Sequence, residues 1–297
     1  MEGHLAYYFL PIQSGACMTA MESWKQFWHT KNSTVALVRD VLVALLAVLI
    51  ILTALWAYTG AWFSAPMVAI ESGSMEHDDA AFGRLGYIDA GDMVLVQKIS
   101  YTSDLVPTKD IVPHGGPVHG AEAEHGWMTY GNYGDVVIYK PLGKDDVSQI
   151  IHRAMTWVNV TFVNGHYRYT IRDFGIYNQT SLRSRELFGN NESIDPGWTH
   201  SGYITKGDHN QICDQISNIC PQPVLPSWIS GKARGEIPWI GTINLFFEDI
   251  LHGKNTVANV HQDSLICLGI VLTILISIPI ILDVHDYLKK KKTTPEQ

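Results

Sequence analysis

Two stretches of the chain carry no charge at all. The first runs from Val41 to Ile70, 30 residues without Asp, Glu, Lys or Arg, and its core from Val41 to Tyr58 is mainly Val, Leu, Ala and Ile. The second runs from Ser264 to Leu282, 19 residues bounded by Asp263 and Asp283. A helix of about 20 apolar residues spans the hydrocarbon core of a bilayer. The pattern therefore predicts two transmembrane α-helices, at 41–63 and 264–282. A buried core helix would be shorter. A cleaved signal peptide would also be shorter and would start nearer the N-terminus, so the first run reads as an uncleaved signal-anchor.

Between these runs the period changes. Met93–Val96 and Val136–Tyr139 are short apolar segments, each opened by Gly-Asp (Gly91-Asp92, Gly134-Asp135), and predict buried strands. Val158, Val160 and Phe162 alternate with polar residues, then comes Asn164-Gly165, then Tyr167, Tyr169 and Ile171. That is the pattern of a β-hairpin. Residues 107–134, rich in Gly, Pro and His, predict a surface loop, and the polar stretch 173–200 a further insertion. The expected architecture is a mainly β domain over 64–263, held between two transmembrane helices, with short flanks at 1–40 and 283–297.

Composition agrees with this division. Hydrophobic residues make up 46% and charged residues 17%, against about 25% charged in ordinary soluble domains. Such apolar content excludes general disorder, and 4 cysteines exclude a disulfide scaffold. A net charge of −8 argues against a nucleic-acid binder. Lys289, Lys290, Lys291 and Lys292 place the C-terminal tail in the cytoplasm, and Lys25, Lys31 and Arg39 give the N-terminal segment the same sign. Both termini are then inside and the β domain outside. From Glu71 to Asp263 there are 23 acidic and 14 basic residues, a net of −9. Sequons at Asn159, Asn178 and Asn191 fall in that outer domain, and one at Asn32 falls on the inner side.

Three segments carry candidate chemistry. In Glu71-Ser-Gly-Ser-Met-Glu-His77, a glycine between Ser72 and Ser74 permits a tight turn. In Ile150-Ile-His-Arg-Ala154, His152 is a base whose ordinary pKa lies near neutrality. In Ile204-Thr-Lys-Gly-Asp-His-Asn-Gln-Ile-Cys-Asp214, Asp208 and Asp214 flank a turn. A serine, a histidine and an aspartate are the parts of nucleophilic acyl transfer: the base activates the hydroxyl, and the carboxylate orients the base. Each segment also has a plainer reading, as a loop, a satisfied core histidine or a solvated turn. His114, His119 and His125 read as solvated loop residues rather than metal ligands. Cys213 and Cys220 are either a disulfide or two reduced thiols.

Taken in order, these segments resemble type I signal peptidases of the archaeal and endoplasmic-reticulum branch. The resemblance rests on Ser72-Gly-Ser-Met-Glu76 after a membrane anchor, Gly91-Asp-Met-Val-Leu-Val96 and Gly134-Asp-Val-Val-Ile-Tyr139. It continues through Ile151-His-Arg153, Lys206-Gly-Asp-His-Asn210 with Asp214, Gly231-Lys-Ala-Arg-Gly235 and Pro238-Trp-Ile-Gly241, over roughly residues 40 to 247. It implies a signal-peptidase-like antiparallel β fold and a membrane-bound serine endopeptidase that cleaves signal peptides from exported preproteins. Ser74 would be the nucleophile and His152, where the bacterial branch has Lys, the general base. Asp214, or second Asp208, would orient His152. The Ser74 N–H and the Ser72 hydroxyl would form the oxyanion hole. No cofactor or metal is implied. Expected partners are signal peptides, the lipid bilayer and the protein-export channel. Four features depart from the family pattern: His77 stands where Pro is usual, His209 where Asn is usual, loops 101–133 and 173–200 are long, and the second span is not universal. Two other readings remain open: a non-catalytic membrane-anchored β domain that binds a partner, and a related peptidase that processes a special class of surface proteins. The apolar strand 93–96 is the expected edge for an extended substrate.

Overall fold

The computed structural model describes residues 25, 27–30, 32–62, 65–100, 103–115 and 128–293. The chain divides into two units, residues 1–55 and 56–297. Helix α1 (Ser33–Thr59) is 27 residues long. Asn32 caps it, its Oδ1 accepting the N–H groups of Thr34 at 3.0 Å and Val35 at 3.4 Å, donors the helix itself leaves unsatisfied. The helix stops at Thr59, short of 63. There Gly60 takes φ +69 and bonds back to the Trp56 carbonyl at 2.8 Å, an ending glycine adopts without strain. The apolar side chains of α1 face outward, with Leu45 and Ile50 each 60% exposed.

The second unit is built on β1 (Met67–Ala69), β2 (Met93–Gln97), β3 (Met128–Thr129), β4 (Asn132–Tyr133), β5 (Val136–Tyr139), β6 (Ile150–Val163), β7 (His166–Ile171), β8 (Ile176–Gln179), β9 (Gly202–Lys206) and β10 (Ile229–Ile237). Eight strands form one sheet in the order β1-β2-β10-β5-β6-β7-β8, with β9 also paired to β6, and β3 pairs with β4 apart from it. Every pairing is antiparallel. Asn164 (φ +52) and Gly165 (φ +79) close the β6–β7 hairpin, the left-handed pair that matches the twist of antiparallel strands.

The two Gly-Asp segments have a structural task. Gly91 (φ +96) and Gly134 (φ +84) turn the chain into β2 and β5. The aspartate after each then holds β10 or the turn beyond it. Asp92 Oδ1 accepts the Trp239 N–H at 2.8 Å, and Asp135 Oδ2 accepts Lys232 Nζ at 3.2 Å. So the segments 231–235 and 238–241 serve as partners of these turns.

Three of the sequence expectations need correction. Strand β2 is not an edge: it lies between β1 and β10, and the end of the sheet is β1. Residues 107–134 are not simply a surface loop, because Ile111 is 4% exposed and 128–133 form a hairpin. The guanidinium of Arg153, wholly buried, organises that hairpin by donating to the carbonyls of Tyr130, Asn132, Tyr133 and Gly134. Residues 116–127, with His119 and His125, lie outside the described residues. The stretch 173–200 is not a polar insertion. It holds α2 (Arg185–Phe188), and its Leu182, Leu187 and Trp198 are fully buried against Val158, Tyr169 and Ile171. A polar average concealed the few apolar residues that form this part of the core.

After β10 come α3 (Gly241–His252) and α4 (Gln262–Thr293). Helix α1 and residues 262–289 of α4 are long and apolar enough to cross a membrane. On α4, Ile276 and Ile281 are 62% and 64% exposed.

Candidate active site

The turn after β1 carries Ser72 and Ser74. It is tight, with the Glu76 N–H bonded to the Gly73 carbonyl at 3.1 Å. Met75, 1% exposed, pins it to the core beside Ile70, Ile88, Val94, Val136 and Ile138. From the other side the loop after β9 closes on it: the His209 N–H donates to the Ser74 carbonyl at 3.0 Å. Gly207 makes this approach possible. A Cβ there would lie 2.4 Å from the Ser74 carbonyl oxygen and 2.9 Å from His152 Nε2, so any side chain would push the two apart.

His152 stands on β6 opposite Val137 of β5 and is 3% exposed. Its Nε2 is 2.9 Å from Ser74 Oγ, and its Nδ1 is 2.8 Å from both oxygens of Asp214. An ionised carboxylate only accepts, so Nδ1 carries the proton and Nε2 presents a lone pair to the serine hydroxyl. That is the tautomer a general base requires. Ser72 Oγ lies 3.4 Å from Ser74 Oγ.

Asp214 is fully buried in the segment between β9 and β10. Besides His152, its Oδ2 accepts Tyr139 OH at 2.7 Å and Thr205 Oγ1 at 2.6 Å. Burial, with the Asp214 charge adding to it, pushes the Tyr139 hydroxyl well above its ordinary pKa, so it remains a donor. These donors satisfy carboxylate oxygens that no water reaches.

Asp208 does not touch His152. It takes Arg153 Nε at 2.8 Å and Nη2 at 2.5 Å on its two oxygens, and His77 Nε2 at 3.1 Å. Burial acts to raise its pKa, but Arg153 and His77 outweigh that and hold the carboxyl below its usual range. In turn, the hydrogen bond to Asp208 raises the pKa of His77 against the lowering effect of burial. Arg153 follows His152, and His77 lies three residues after Ser74. One carboxylate thus ties the Ser74 turn to the strand that carries His152. Neither Arg153 nor His77 was marked for a site role by the sequence. A signal was present: an arginine next to β-branched core residues needs a buried acidic partner.

A cleft of about 560 Å³ opens in front of Ser74 and His152. Val68, Ala69 and Ile70 line one wall, and Ser148, Gln149 and Ile150 are among the other lining residues. Pro66 O accepts the Val96 N–H of β2 at 2.8 Å, and the Ile70 N–H donates to the carbonyl of Asp92, just before β2, at 2.9 Å. Bonding groups alternate along an antiparallel strand, so the N–H and C=O groups of Met67 and Ala69 point to the open edge.

The Ser74 turn is also tied to the segment that leads into α4. Asn259 Nδ2 donates to the Glu71 carbonyl at 2.8 Å, His261 Nε2 lies 3.0 Å from Glu76 Oε2, and the Gly83 N–H donates to Asp263 Oδ2 at 2.9 Å. Cys213 and Cys220 are free and buried, in separate core clusters. No protein-family model matches the chain, and no curated protein matches it.

Proposed function

We propose that the protein is a membrane-bound serine endopeptidase that cleaves signal peptides from exported preproteins. The observation that carries this reading is the unbroken relay from Ser74 through His152 to Asp214, with distances of 2.9 and 2.8 Å, at the floor of a cleft beside an open strand edge. In this reading Ser74 Oγ attacks the scissile carbonyl while His152 Nε2 takes its proton. Asp214 stabilises the imidazolium that forms. The Ser74 N–H and the Ser72 hydroxyl stabilise the oxyanion, each donor contributing about 3 kcal/mol. His152 then gives the proton to the leaving amine, and the acyl-enzyme is hydrolysed by water activated at the same nitrogen.

Substrate form follows from the cleft. An extended peptide would pair with the outward groups of Met67 and Ala69, as strand-addition ligands do. In the proposed topology the β unit is outside the cytoplasm and both termini are inside. With α4 in the bilayer, the site would lie near the membrane surface from which a signal peptide's cleavage region emerges. The test is cleavage of a preprotein by the full chain in vesicles. Ser74→Ala and His152→Ala should each abolish processing. Undiminished cleavage in either variant would overturn the proposal, and binding of the preprotein without turnover by the native chain would favour a non-catalytic scaffold.

A further inference from the structure

Helix α3 has two unlike faces. Gly241, Thr242 and Leu245 turn inward, with Leu245 1% exposed beside Ala90 and Val260. Ile243, Phe246, Phe247, Ile250 and Leu251 recur at the spacing of one helical stripe, yet they are 38, 54, 56, 63 and 72% exposed. Water-soluble surfaces rarely carry so continuous an apolar strip. Phe82 and Leu85, 70% and 60% exposed, flank Gly83, whose carbonyl accepts Nε1 of Trp239, two residues before α3, at 2.9 Å. Their loop lies beside the first turns of α4, where the Gly83 N–H bonds Asp263 and a Cβ on Gly83 would lie 3.1 Å from Cys267 Sγ.

We propose that the outer face of α3, with Phe82 and Leu85, rests on the lipid surface, α3 lying in the membrane interface. Continuity identifies the occupant as lipid. Only residues 253–261 separate α3 from α4, most of whose apolar side chains between Leu265 and Leu288 are exposed, Leu268 excepted. A helix of this kind sinks its apolar side into the headgroup boundary and keeps its charged side in water. Here Glu248, Asp249 and His252 supply the polar positions. Because α3 packs on β1, the docked helix would hold the open edge of β1 close to the membrane surface. The inference rests on α4 spanning the bilayer.

The experiment uses the full chain in phosphatidylcholine vesicles, with a photoreactive benzophenone side chain placed at Phe247, at Ile250 or, as a remote control, at Tyr177 of β8, 54% exposed. Irradiation should give lipid adducts at 247 and 250 and none at 177. An adduct between two copies of the chain at 247, or no lipid adduct at either α3 position, would overturn the proposal. This readout needs no catalysis, so its failure is distinct from failure of the peptidase reading. A second arm compares substrates. Phe246→Asp combined with Leu251→Asp should lower cleavage of a membrane-inserted preprotein by about tenfold, through lost interfacial binding, and leave a short soluble peptide unaffected. Equal effects on both substrates would count against docking as the purpose of the stripe.

Discussion

Asp208 and Asp214, in the segment after β9, both have enclosed carboxyl groups, and their partners assign them different tasks. Asp214 bonds His152, so under the proposed mechanism Asp214→Asn should keep the fold but disturb the tautomer of His152, lowering kcat by about 10³–10⁴-fold. Asp208 compensates a wholly buried arginine. Asp208→Asn should instead cost about 3–5 kcal/mol of stability, because Arg153 is left unpaired, with the remaining folded enzyme much less affected. Steady-state kinetics and thermal melting on both variants check this, and the reverse pattern would exchange the roles. The candidate residues Ser74, His152 and Asp214 were all legible in the sequence. The choice between the two aspartates was not, since spacing alone cannot say which carboxylate the neighbouring arginine has taken. His77 was visible only as a departure from the family pattern. Its contact with Asp208 depends on the folding back of a turn that no local period announces.

At the level of elements, β2, β5 and the β6–β7 hairpin were readable because their alternation and turn residues are local. The position of β1 was not. Three residues, Met67–Ala69, are too few for a period, and they lie at the end of an uncharged run that masks them. Sheet order is a property of distant pairing, so the apolar strand 93–96 looked like a candidate edge while β1 in fact covers it. If the open edge of β1 pairs with substrate, Ala69→Pro removes one outward donor without touching a bond to β2. The expected result is about a tenfold rise in KM for an extended peptide, the worth of one hydrogen bond, with little change in melting temperature. An unchanged KM would show that the edge is not used.

For the whole molecule, stability should depend on pH through a group that is not part of the relay. Glu236 on β10 is pushed up to about 7, by burial first and then by Asp92 and Asp89, against the Gly86 N–H that lowers it. The folded state therefore holds a proton that the unfolded chain has released. That contribution is complete below the ordinary glutamate pKa and is lost as pH rises through about 7. The full effect is about 3 kcal/mol, which the partial exposure of Glu236 to solvent reduces to about 1. Glu236→Gln should thus raise the melting temperature at pH 8 by about 3 °C and leave it nearly unchanged at pH 4. Equal shifts at both values would assign the effect to packing rather than ionisation.

The ties from Asn259, His261 and Asp263 to the turn and loop around Ser74 have a mechanical consequence. A helix too long for its bilayer tilts, and one too short draws the bilayer in. If α4 spans a bilayer and Ser74 is the nucleophile, such a tilt would begin at the residues that hold the Ser74 turn in place. Turnover should then vary with the acyl-chain length of the surrounding lipid, and His261→Ala should weaken that dependence. The thickness of the membrane would act on the nucleophile as a lever, with α4 as its arm.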